Sequence, residues 1–195
     1  MRPSSGAVRR ESHERLFFDT EFRLVSESDS GALLRHFLAA LAYRTQKALR
    51  GAPDDFGDFD PGSKVRTPRE LLRHMTSVLG YARSFFRGGT YRPEALPSLE
   101  DEVQRFHSML ADLSTHLAND DPSTGISHEQ MLQGPFADAM THAGQLAMLR
   151  RFHGAPVPPE NFVAANIDAA NIGPAQPDPH SPDDEWPEAP EGEEV

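Results

Sequence analysis

Apolar residues recur along this chain at the three-to-four spacing of amphipathic helices, in four separate stretches. The first helix is predicted from about Ser30 to Arg50. Leu34, Phe37, Leu38, Leu41 and Leu49 share its stripe, and Gly51-Ala52-Pro53 ends it. The stretch 52–64, rich in Asp, Gly and Pro, reads as a loop. The second helix has Thr67 as N-cap, Pro68 at the first helical position and Glu70 completing a capping box. Leu71, Met75, Val78, Ala82 and Phe85 form its stripe, and Gly88-Gly89 stops it. The third begins at Ser98, with Asp101 where a capping box has Glu, and carries Leu99, Val103, Phe106, Leu110, Leu113 and Leu117. A polar stretch from Asn119 to Gly125 separates it from the fourth, which opens with a Ser127/Gln130 capping box. Gly134-Pro135 is expected to kink this helix or to split off a leading turn, and the main body runs from about Pro135 to Phe152.

Four such helices predict an all-α protein, a four-helix bundle. The expected organisation is an N-terminal arm (1–29), the bundle with a C-terminal extension (30–172), and an acidic, proline-rich tail (173–195). The loops are long enough not to force a simple up-down order. The segment 10–29 is expected to be an arm or a short strand packed on the bundle.

Composition removes several function classes. The chain of 195 residues has no cysteine, which excludes disulfides, Cys-ligated zinc or iron–sulfur centres and a cysteine nucleophile. Its longest apolar run, Phe37 to Tyr43, is seven residues, against the roughly 20 that span a bilayer. The N-terminus lacks an apolar signal core, so no membrane partner and a cytoplasmic location are expected. The net charge is −11, which argues against nucleic acid as a partner. Much of that charge belongs to the tail: residues 173–195 hold eight acids, six prolines and no Lys or Arg. The tail is expected to be loosely draped, as a solubilising terminus or as a segment that binds a basic partner, with Trp186 as its one candidate anchor.

The fourth helix carries the candidate chemistry. With His142 set at zero, Asp138 falls at about −40°, Leu149 at about −20° and Leu146 at about +40° around the axis. An aspartate on an apolar face is costly unless it is paired or metal-bound. Two readings therefore stand: an Asp138–His142 hydrogen bond that satisfies both, or a divalent metal held by both and a third ligand. His74, at the edge of the second helix's apolar arc, is the candidate third ligand. His36 falls opposite the first helix's stripe, while His107 and His116 flank the third's. His13, His128 and His180 fall in loops, caps or tail, and His153 lies too far along the helix to share an ion with Asp138. His128-Glu129 begins like a zinc-protease helix, but Leu132 stands where the second His must be.

The run Gly134-Pro135-Phe136-Ala137-Asp138-Ala139-Met140-Thr141-His142-Ala143-Gly144-Gln145-Leu146 resembles the last-helix motif of the DinB/YfiT-like proteins. Thr67 to Met75, with His74, resembles their second-helix histidine motif, and Arg150 to Val157 the end of their last helix. The likeness covers roughly residues 30–165. It implies a four-helix bundle, often dimeric, of a bacterial family whose members hold a metal with three histidines. Carried over, His74 matches the first ligand and His142 the last, while Asp138 stands where the family has its middle histidine. Asp can still ligate zinc, nickel, iron or manganese. The resemblance further implies a small-molecule substrate and a metal-dependent hydrolase or a thiol-dependent transferase or isomerase using an external low-molecular-weight thiol. No residue selects among these. Gln145 shares the face of His142 and is expected to support a ligand or to pack in the bundle. The alternative is a non-catalytic scaffold or stress-response binding protein with a metal-free Asp138–His142 pair. Residues 155–172 are expected either to fold over the bundle end or to form a dimer arm.

Overall fold

The structure, a computed structural model, describes residues 27–179. The proposed arm up to residue 26 and Trp186 lie outside the described residues. Helix α1 spans Glu27–Leu49, α2 Pro68–Arg87 and α3 Leu99–Ala118. The short α4, His128–Met131, runs through a π turn, Leu132–Phe136, into α5, Ala137–Phe152. No strand occurs among the described residues. Thr67 and Ser127 both make complete capping boxes, and Ser98 caps α3 through the Asp101 N–H. One 3-10 turn, Phe56–Asp58, interrupts the first loop because Phe56 is fully buried there.

Each helix turns an apolar face inward, though on α2 that face includes Leu72 and Leu79 in place of the expected Val78 and Phe85. Leu38, Leu41, Leu72, Met75, Leu79, Phe106, Leu110, Leu113, Phe136 and Leu146 are completely buried. α1 packs against α3 and α5, and α2 packs against the same two, so the helices close a ring. Contacts fix their directions. Gly31 lies against the Leu117 carbonyl, and Arg35 donates to Ser114 at 3.4 Å, so α1 and α3 are antiparallel. Ser30 and His128 are hydrogen-bonded at 2.5 Å, while Arg150 Nη1 donates to the Ala48 carbonyl at 3.0 Å, so α1 and the α4–α5 segment are parallel. Arg69 reaches the Pro97 carbonyl at 2.6 Å, and Arg83 meets Asp112 at 3.5 Å, so α2 and α3 are parallel.

Parallel neighbours need a return connection. The ten residues 88–97 must run back along α2, a path of about 30 Å for 20 helical residues, and ten residues reach about 33–36 Å when extended. The connection is therefore nearly taut. Gly88 and Gly89 turn the chain with φ of 72° and 75°, a region that disfavours L side chains. Tyr91 then lies so close to α2 that a Cβ on Gly80 would sit 2.0 Å from its ring.

Residues 155–179 form a strap across α1 and α5, away from the α2/α5 seam. Glu160 Oε1 accepts from the Tyr43 hydroxyl at 2.5 Å, and Oε2 lies 2.9 Å from Lys47 Nζ. Burial and the hydrogen bond to Glu160 push the Tyr43 hydroxyl up to about 12. Phe162 packs edge-on to Tyr43 under the Arg44 guanidinium. His107 meets the Ile172 carbonyl at 2.7 Å and is only 4% exposed, which corrects its expected place at the flank of α3: the strap covers it. The start of the tail is also tied down, since Arg50 binds the Gln176 and Pro177 carbonyls and Asp178. The segment after α5 thus lies over the α1 side of the bundle and not over the α2/α5 seam.

Candidate metal centre

The π turn sets the direction of α5. Pro135 has no N–H to donate and its ring crowds the preceding turn, so a regular α-helix cannot pass through it unaltered. The chain accommodates it by widening: the Ala137 N–H reaches the Leu132 carbonyl, five residues back. The helix that resumes directs Asp138 and His142 towards α2. Both faces continue in register along the seam, for His74 meets His142 while Tyr81, further along α2, shares a groove with Gln133 and Pro135. α2 and α5 are therefore antiparallel here.

His74, Asp138 and His142 come together. Each offers one ligand atom, and these atoms all lie within 4.8 Å of one another, so the group can hold a metal ion. The His74 and His142 rings are 4.8 Å apart at an interplanar angle of 72°. His142 Nδ1 lies 2.8 Å from Gln145 Oε1. A carbonyl oxygen only accepts, so with Gln145 in this orientation a neutral His142 has its proton on Nδ1 and its lone pair on Nε2. That Nε2 is buried without a hydrogen-bond partner and lies 3.4 Å from Asp138 Oδ1. In that tautomer two acceptors face each other there. Two atoms each about 2.1 Å from a tetrahedral ion are about 3.4 Å apart, so the spacing fits an ion between them.

Asp138 departs from expectation in one respect. Its side chain is 50% exposed rather than turned into the apolar face. It sits in the first turn of α5, at the edge of the seam, where the groove beside Tyr81 opens to solvent. Hydration lowers the cost of its charge, so burial alone does not demand a partner. His74 is half-buried, and desolvation pulls its pKa below the ordinary value. Arg66 and His142 push in the same direction, and Asp138 opposes them. His74 is thereby kept neutral near pH 7, the form that ligates.

The other histidines are engaged elsewhere. His153 meets Asp55 at 3.2 Å and packs edge-on to Phe56 and Phe59. His116 is clamped by Asp121 at 2.6 Å and by Arg87 at 2.9 Å. His36 is exposed, as its position opposite the stripe predicts.

Two concavities flank the triad. A cleft of about 350 Å³ runs from His74 past Arg66, Arg73 and Arg92. An open groove with Val78, Tyr81 and Pro135 ends on Asp138, and Ser77 lines both. The sequence had pointed to none of these flanking residues. Arg73 is on the helical face next to His74, but Arg92 arrives only through the crossover. No family model, no curated protein and no solved structure matches this chain.

Proposed function

We propose that this chain is a metal-dependent enzyme of the DinB/YfiT-like type, with a divalent transition metal held by His74, Asp138 and His142. The observation that carries the reading is the buried, unpartnered His142 Nε2 facing the Asp138 carboxylate at 3.4 Å. Gln145 contributes by fixing the tautomer that leaves Nε2 free, and the depressed pKa of His74 keeps its lone pair available at neutral pH. Three protein ligands leave positions for water or substrate, as catalytic sites do and structural sites do not. A divalent ion at such a site activates a bound water or thiol and polarises a carbonyl. The chain has no cysteine, so a thiol nucleophile must be an external low-molecular-weight one. Hydrolysis and thiol-dependent transfer or isomerisation are the reaction classes that follow. Zinc, nickel, iron and manganese all suit two imidazoles and a carboxylate.

Elemental analysis of protein purified without chelator, followed by calorimetric titration with each of the four metals, tests this. The expected result is one equivalent of metal in the wild type and none in His142→Ala. A wild type that takes up none of the four refutes the reading. The competing reading, a metal-free bundle, draws on the exposure of Asp138, which water can solvate. At 3.4 Å the Asp138–His142 contact is longer than the roughly 2.7–3.2 Å of an N–H···O hydrogen bond, so the pair does not satisfy itself.

A further inference from the structure

Most arginines of the described chain are committed. Arg50, Arg69, Arg83, Arg87 and Arg105 make ion pairs, and Arg150 caps the end of α1 through the Ala48, Arg50 and Gly51 carbonyls. Arg66, Arg73 and Arg92 have no hydrogen bond, ion pair or ring contact among the described residues, and all three line the cleft beside His74. They come from three separate segments: the loop before α2, α2 itself and the taut crossover. The one acid in the cleft, Glu70, already serves the N-cap, its Oε2 accepting from the Thr67 N–H at 3.0 Å. The cleft is thus a local concentration of positive charge on a chain whose net charge is −11. Unpaired guanidiniums gathered along one cleft repel, and an oxyanion relieves that repulsion while accepting their forked N–H groups. On the far side of Ser77 the surface changes character. Val78, Tyr81 and Pro135 give an apolar wall, and Tyr81 is 58% exposed.

We propose that the cleft and groove together bind the substrate of the site described above, and that this substrate is a small amphiphilic organic anion. Its carboxylate or phosphate head lies among Arg66, Arg73 and Arg92, its apolar body lies along Val78, Tyr81 and Pro135, and the bond to be attacked lies between them, over the triad. The assignment of this ligand as substrate rests on the metal-enzyme reading, whereas the binding of the anion is measurable without it.

The test is calorimetric titration of the full chain at low ionic strength, both chelated and zinc-loaded. The probes are phenylpropionate, phenylpropyl phosphate, phenylpropylamine and inorganic phosphate. In chelated protein the two phenylalkyl anions are expected to bind at least tenfold more tightly than the amine, and the tighter of the two identifies the head group. Arg73→Gln and Arg92→Gln are each expected to weaken them about tenfold. Both side chains are at the surface, and a circular-dichroism melt checks that the variants fold. Tyr81→Ala is expected to weaken phenylpropionate and leave inorganic phosphate unchanged. Equal affinity for anion and amine overturns the proposal, as does arginine-independent binding. Anion binding that appears only with zinc and survives both arginine variants also overturns it, because the head is then on the ion. If zinc does not bind but the arginine-dependent anion affinity persists, the metal reading fails and the anion site stands.

Discussion

Two carboxylates, Glu160 on the strap and Asp138 on the α2/α5 seam, show how similar groups reach different ends in one bundle. The Glu160 side chain is fully buried; Oε1 accepts from the Tyr43 hydroxyl at 2.5 Å, and Oε2 is ion-paired with Lys47 at 2.9 Å without a hydrogen bond of its own. Its charge is matched inside the protein, and nothing more is required of it. The Asp138 side chain is half-exposed and faces the lone pair of His142, which has no donor to offer. The first network is closed and holds the strap on α1. In the second, the Asp138 charge is left to solvent, and the group of His74, Asp138 and His142 could hold a metal ion. What separates the two is charge matching rather than burial, since by burial alone Glu160 is the more unusual residue.

Breaking the closed network should have the largest effect. Glu160→Ala is expected to cost about 3 kcal/mol, because it strands a buried ammonium, whereas Glu160→Met with Lys47→Met should recover most of that loss. Chemical denaturation checks both, and equal losses in the single and double variants would show that packing rather than charge holds the strap. Completing the open network comes next. Zinc at a hundred times its Kd should stabilise the wild type by about 2.7 kcal/mol and leave His142→Ala unmoved. A zinc shift that survives in His142→Ala would place the ion elsewhere. Gln145→Ala should weaken metal binding about tenfold without changing the stoichiometry, through loss of the tautomer-fixing contact, as titration would read.

The smallest effect is a pH slope. Burial drives the His107 pKa below its ordinary value, against the opposing pull of the Ile172 carbonyl and Glu100. The unfolded chain therefore takes up a proton near pH 6.5 that the folded chain refuses. The stability His107 contributes is present above that pH and is lost as pH falls through it. His74 pulls in the same direction, so the informative quantity is the difference between wild type and His107→Gln across pH 7.5 to 5.5. A variant with an unaltered slope would mean that strap and helix separate before His107 titrates.

The helices were legible because their signals are local. The Thr67-Pro68-Arg69-Glu70 capping box, the Ser127/Gln130 box and the apolar spacing of α3 depend on residues three or four apart, and the structure has each where the sequence puts it. The meeting of His74 with the Asp138/His142 pair was anticipated from helical faces together with family resemblance. Spacing along α5 alone favoured a simple Asp–His pair. What was misjudged depends on long-range neighbours. His107 reads as a flanking residue until the strap from position 172 covers it, and Asp138 reads as inward until the π turn and the open groove are seen beside it. The Tyr43–Lys47–Glu160 network joins residues 117 apart at its widest, and no periodicity carries that information.

By itself, then, the sequence determined the approximate limits of the helices, their caps and most of their buried residues, and the absence of any thiol ligand. These follow from backbone hydrogen bonding and side-chain hydrophobicity within a turn or two. Only the tertiary structure decided that α2 and α3 run parallel. That choice draws the 88–97 crossover taut along α2 and brings Arg92 to the cleft shared by Arg66, Arg73 and His74. A cleft built from a loop, a helix and a crossover exists only once the chain has closed on itself, because the residues that shape it are neighbours in space and not in sequence.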